Sequence, residues 1–214
     1  MQKLKVVYVT SSDFKVAENK AFVSAYELEK GKPVESLFDF EIRRVHIKEV
    51  LEIDLNSMVL AEVTAAYSQI KVPCIVEHAG LVFDGYATYP GGLTKPMWNS
   101  LGDEFIEETH SAGRKASARA VVAYCDGKSA YTFVGETRGK IADHPRGSRQ
   151  FYWDTVFVPD SSEGAPGDKT YAEIVDEGSL GLKFKMSKLS QSSRAMAEFL
   201  RFRLHNTPEL WPRP

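Results

Sequence analysis

Cysteine is scarce: only Cys74 and Cys125 occur among the 214 residues. Both sit in apolar, strand-like runs without CxxC spacing, so they read as buried thiols. That usage points to a reducing cytoplasm. Long hydrophobic runs are also missing. The apolar segment Val6 to Val9 is too short for a signal-peptide core or a membrane span. A charge excess is missing too: 27 basic residues face 29 acidic ones, a formal net charge of -2. With no interleaved basic–aromatic repeat, a long nucleic-acid track is not expected. No internal repeat or low-complexity segment occurs. What is present is a hydrophobic fraction of 43%, ordinary for a chain that buries a real core.

The periodicity alternates between strands and helices. Leu4 to Thr10 is rich in β-branched residues and reads as a buried strand. Thr10-Ser11-Ser12-Asp13 then supplies hydroxyls and a helix cap, ahead of Phe14, Ala17, Ala21, Phe22 and Ala25 at helical spacing. This helix is expected to stop near Gly31-Lys32-Pro33. A strand–turn–helix opening of this kind is a natural phosphate seat. Phe38, Phe40 and Ile42 alternate as a strand. Leu55, Met58, Val59, Val63, Ala66 and Ile70 mark one face of a helix. Pro73 to Glu77 reads as a strand ending in an acid, and Tyr89-Pro90-Gly91-Gly92 as a loop. Met97 to His110 is expected to be helical. Ala116 to Tyr124 and Ala130 to Thr137 form a hairpin around Asp126-Gly127. Ser161 to Lys169 is a loop, and Ser192 to His205 an amphipathic helix with Ala195, Met196, Phe199 and Leu200 inward. Interleaved strands and helices broken by a hairpin imply an α/β fold with a mixed sheet.

Phe151-Tyr152-Trp153-Asp154 places aromatics beside a carboxylate shortly before Pro159. Aromatic faces can sandwich a flat ring, and a carboxylate can accept its N–H groups or hold a metal. The same residues also suit a core strand ending at a turn, with Phe151 and Trp153 on one face.

Several separated segments together resemble the Ham1-like inosine/xanthosine triphosphate pyrophosphatases. The family's T-G-N-x-x-K opening matches Thr10-Ser11-Ser12-Asp13-Phe14-Lys15. Its acidic strand end resembles Val76-Glu77-His78-Ala79-Gly80-Leu81, followed by Pro90-Gly91-Gly92. Its F-G-W-D box is similar to Phe151-Tyr152-Trp153-Asp154. Its K-x-x-x-S-H-R piece resembles Lys188 to Arg194. The resemblance implies a single domain over 1–214, with 206–214 as a tail. A long mixed β-sheet with flanking helices would form two lobes around a central nucleotide cleft. It further implies a homodimer that hydrolyses a nucleoside triphosphate to monophosphate and pyrophosphate with Mg2+, water attacking the α-phosphate.

Carried over by position, Lys15, Thr10 and Ser12 would touch phosphate. Glu77 and Glu52 would hold the metal, Glu49 competing with Glu52. Phe151, Trp153 and Asp154 would frame the base, and Lys188, Ser193 and Arg194 would grip base and phosphates. The departures fall on important positions. The family's second acid, its water-activating base, is His78, which can still accept a proton near neutral pH but brings no negative charge to a hard cation. The helix lysine between the acidic segments becomes Glu62. The S-H-R histidine is Ser193, and the F-G-W-D glycine is Tyr152. Two functions follow: a metal-dependent pyrophosphatase with an altered site, or a nucleotide-binding sensor or partner protein on the same scaffold.

Overall fold

The computed structural model describes residues 3–177 and 181–206, leaving aside the side chains at 150 and 151. The β-branched run forms β1 (Leu4–Val9), and Ser12 caps α1 (Asp13–Ala25) by accepting from the Lys15 amide. Next come β2 (Glu27–Glu29), β3 (Lys32–Pro33), α2 (Val34–Leu37) and β4 (Phe38–Arg43). Helix α1 therefore stops before the expected Gly31, because residues 27–33 turn into a small antiparallel pair around Gly31. Asp54 caps α3 (Leu55–Ile70) through the amides of Asn56 and Ser57.

Strand β5 runs from Cys74 to Phe83, past the expected end at Glu77. It continues because every residue from Cys74 to Phe83 is paired with a partner on β6 (Lys115–Cys125). The expected helix over 97–110 is broken into α4 (Thr94–Leu101), a 3-10 turn and α5 (Phe105–Glu108). Gly102, with φ 55°, takes a backbone conformation that ends α4. The hairpin appears as expected, with β7 (Ala130–Ile141) pairing along all of β6. Residues Arg149–Thr155 form a 3-10 helix rather than a strand, and strand β8 is Phe157–Pro159. Alternation thus does not apply to Phe151 and Trp153. Helices α6 (Tyr171–Asp176) and α7 (Gly181–Phe184), a π-helical turn (Lys185–Leu189) and α8 (Gln191–His205) complete the chain. The tail expected over 206–214 lies outside the described residues beyond Asn206.

One six-stranded mixed sheet, ordered β4-β1-β5-β6-β7-β8, carries the fold. β4, β1 and β5 are parallel, whereas β5 through β8 are antiparallel. One face packs on α1 and α8 through Phe22, Ile75, Met196 and Phe199. The other packs on α3 through Val59, Val63, Cys74 and Val121. Ala195, Met196, Phe199 and Leu200 of α8 are buried, as their spacing implied. Gly135 lets α8 lie directly on β7, since a Cβ there would run into the Gln191 carbonyl and the Ala195 amide. Among the described residues, no helix is long and apolar enough to cross a membrane. Cys74 and Cys125 face each other across β5 and β6 as buried free thiols.

Candidate active site

β1 ends at Val9 and pairs with β5 only at Tyr8–Ile75. β5 runs on past it, so the edge of β5 beside Glu77 and His78 opens onto the α1 turn. A cleft of about 450 Å³ sits there, beyond the carboxyl end of β1. Such a break in strand neighbours is where open α/β sheets characteristically hold ligands. Its walls come from the Thr10–Lys15 turn, Glu62 of α3, the β5 edge, the 3-10 helix around Tyr152–Asp154, Lys185, and the start of α8.

Adjacent strand residues point to opposite faces of a sheet. Glu77 accordingly turns toward α1 and α8, and His78 toward α3. Glu77 is only 6% exposed. Its Oε1 accepts from the Ser192 hydroxyl at 2.9 Å, and its Oε2 from the Tyr8 hydroxyl at 3.3 Å. Lys15 Nζ lies 3.2 Å from that Oε2 and also donates to the Glu77 carbonyl. Burial pushes the Glu77 carboxyl up, but Lys15, His78 and the Ser192 hydroxyl outweigh it and hold the group below its ordinary value. The structure brings Lys15 and Glu77 together, then, with both Glu77 oxygens occupied by protein donors.

On the other face, His78 Nε2 meets Glu62 Oε2 at 2.6 Å. The two departures from the family pattern touch. Where the resemblance sets a helix lysine and a strand acid, this chain has a helix acid and a strand histidine that pair with each other. Glu62 follows Met58 and Val59 at helical spacing within the buried stripe of α3. That position in an otherwise apolar face was a readable sign of a buried acid.

The opening turn is self-capped. Thr10 Oγ1 accepts from the Ser12 amide at 3.2 Å, and Ser12 Oγ from the Lys15 amide at 3.4 Å. Both line the cleft, where a hydroxyl used as an acceptor keeps its own hydrogen to donate.

At the base-framing end, Trp153 packs edge-on against Phe157 in the core, and only part of it reaches the cleft. Tyr152 is instead 40% exposed, with φ 51°, and meets Phe14 edge-on at 5.3 Å. Tyr152 thus takes the left-handed backbone usual for glycine, at the position where the F-G-W-D motif has glycine. Phe151's side chain is outside the described part. Asp154 is bound by Lys185 Nζ, which also reaches Glu18 at 3.0 Å and lies 4.8 Å over the Tyr171 ring. Burial lifts Asp154 to about 6; Lys185 pulls the other way, and Glu18 adds to the rise. Burial lowers Lys185, but Asp154 and Glu18 overcome it and keep the ammonium charged.

Other expected site residues lie elsewhere. Glu52 turns Oε1 onto the amides of Ile53 and Asp54 and does not line the cleft, whereas Glu49 does. Lys188 is exposed, because the π-helical turn carries Lys185 inward in its place. Arg194 pairs with Glu163 at 2.8 Å and donates to the Glu136 carbonyl, away from the cleft. Ser193 is buried beneath the site, its hydroxyl 4.0 Å from the Met186 sulfur. Tyr8, Glu18, Lys185 and Ser192 were not anticipated as site residues. Ser192 occupies the serine of the matched S-H-R piece; the others carried no local signal.

A model of the Ham1 family matches residues 6–202. The chain belongs to the Ham1 family. A dITP/XTP pyrophosphatase of Methanopyrus kandleri is 29% identical over 212 residues, covering 95% of this chain and 98% of that protein. An inosine triphosphate pyrophosphatase 2 of Trypanosoma cruzi is 32% identical over 176 residues, covering 81% and 82%. The solved HAM1 protein of Coxiella burnetii superposes with a TM-score of 0.62 at 18% identity, covering 93% of this chain and 99% of that one. At that identity the likeness concerns the Ham1 fold, which agrees with the mixed α/β sheet described above.

Proposed function

We propose that this Ham1 chain is a nucleoside triphosphate pyrophosphohydrolase that converts a nucleotide, with deaminated purines foremost, to the monophosphate and pyrophosphate. The observation that carries this reading is the convergence of Lys15, the Thr10–Ser12 turn and the Glu62–His78 pair on one cleft. Lys15 and the hydroxyls of Thr10 and Ser12 are suited to phosphate oxygens, and the start of α1 adds the positive end of its dipole. Glu77 fixes Lys15 in place. His78, held through Nε2 by Glu62, offers its other ring nitrogen to take a proton from attacking water, and a base so oriented contributes about 10²- to 10⁴-fold. Tyr152 and Phe14 supply aromatic surface for the base. A divalent ion, magnesium by family resemblance, belongs to this reading and when bound would neutralise phosphate charge. A homodimer is also part of it, to be checked by light scattering.

The test is purified protein with Mg2+ and a panel of canonical and deaminated nucleoside triphosphates, read by pyrophosphate release. Turnover of at least one nucleotide is expected, and His78→Asn should reduce it about 100-fold or more. Folded protein that turns over none of them defeats the reading. Nucleotide-dependent thermal stabilisation without turnover would favour a binding protein instead.

A further inference from the structure

We infer that Glu62, and not Glu77 or Glu52, is the protein carboxylate that seats a divalent cation in this cleft. The inference deepens the pyrophosphohydrolase reading and rests on it for the cation's purpose, though its evidence is geometric. Among the described residues, six carboxylates and three lysines line the cleft. A nucleoside triphosphate brings several further negative charges, so it cannot settle among those acids without a cation to offset them.

The acids differ in what they have left to offer. Glu77 has both oxygens engaged by Ser192, Tyr8 and Lys15. Asp154 and Glu18 share Lys185, Asp13 pairs with Arg44, and Glu49 lies 3.5 Å from Lys95. Glu62 alone among them is deeply buried, at 4% exposure, with a carboxylate oxygen that has no hydrogen-bond partner. A buried unpaired carboxylate oxygen costs free energy, and a cation with its bound waters removes that cost. The terminal torsion of a glutamate is broad, so a turn of the carboxylate can bring Oε1 to the cleft, with Oε2 shifting along its contact with His78.

Among the described residues, no group of three or more His, Cys, Asp or Glu side chains could hold a metal. The seat therefore consists of one carboxylate completed by water and substrate phosphate, an arrangement hard cations accept. That carboxylate stands on the helix facing His78.

The test uses nucleotide-free wild-type protein titrated with Mn2+, free ion being read by its electron paramagnetic resonance signal. The titration is repeated with a triphosphate analogue whose α,β-bridging atom is carbon. One Mn2+ per chain is expected. Glu62→Gln, an isostere that can still accept from His78, should weaken uptake about tenfold or more, whereas Glu77→Gln should leave it within about threefold. Glu62→Asp, folding checked by thermal melting, should fall between wild type and Glu62→Gln. Uptake unchanged in Glu62→Gln, or lost in Glu77→Gln instead, overturns the inference, as does folded wild type that takes up no Mn2+ in either condition. Turnover of nucleotides with Mn2+ uptake independent of Glu62 would sink this inference and leave the pyrophosphohydrolase reading standing. Uptake at Glu62 without turnover would do the reverse.

Discussion

Replacing Lys185 by Met tests whether the base-framing end of the cleft is held by charge. Lys185 is 2% exposed and bridges Asp154 on the 3-10 helix to Glu18 on α1. Methionine fills nearly the same volume, so cavity formation contributes little. The loss comes from leaving Asp154 ionised, buried and unpaired, which costs about 3–5 kcal/mol. Losing the cation over the Tyr171 ring adds about 1 kcal/mol. Glu18 is the more exposed carboxylate and can be solvated. Urea unfolding at pH 8 should therefore show a fall in midpoint equivalent to about 4–6 kcal/mol at unchanged slope. The sign of the pH dependence follows. Asp154 already titrates near 6 in the folded protein, and without Lys185 its folded value moves higher still. A carboxyl raised in the folded state destabilises only when ionised, so the deficit should shrink as pH falls from 8 toward 5. The double variant Lys185→Met/Asp154→Asn should recover about 2 kcal/mol or more, because neutralising both partners removes the unpaired charge. A single-variant cost below about 1 kcal/mol, or one independent of pH, would refute the argument.

Two other outcomes follow from the same structure. Gly135→Ala should cost about 1–3 kcal/mol by overpacking, seen in the urea midpoint, because α8 must shift to clear the new methyl from the Gln191 carbonyl. Glu77 sits below its ordinary value when folded, so its contribution is complete above about pH 4.3 and is lost as pH falls through the folded value. The fall in wild-type stability on acidification should accordingly be flatter in Glu77→Gln.

Much of the scaffold was legible because it depends on local periodicity. Strand β1, the stripe of α3, the β6–β7 hairpin and the inward face of α8 all appeared where alternation or helical spacing put them. The errors arose where distant partners decide. Glu77 looked like a strand end because His78-Ala79-Gly80 breaks the apolar run, yet pairing with β6 carries the strand to Phe83. The aromatic box looked extended, but Tyr152 adopts a left-handed backbone within a 3-10 helix. Lys15 and Glu77, matched by motif in two distant segments, meet in the structure, since each sits in a regular element whose register the motif follows. Lys188 is exposed while Lys185 of the same π-helical turn is buried, a difference that motif spacing alone does not show. Glu62 and His78 read as two separate losses. Only the spatial packing of α3 on β5 reveals that the two side chains meet.

The central claim is most directly tested by hydrolysing the best nucleotide of the panel in ¹⁸O-labelled water and analysing both products by mass spectrometry. The account predicts one labelled oxygen in the nucleoside monophosphate and unlabelled pyrophosphate, as attack on the α-phosphorus requires. Label in pyrophosphate, or release of orthophosphate with a nucleoside diphosphate, would contradict it.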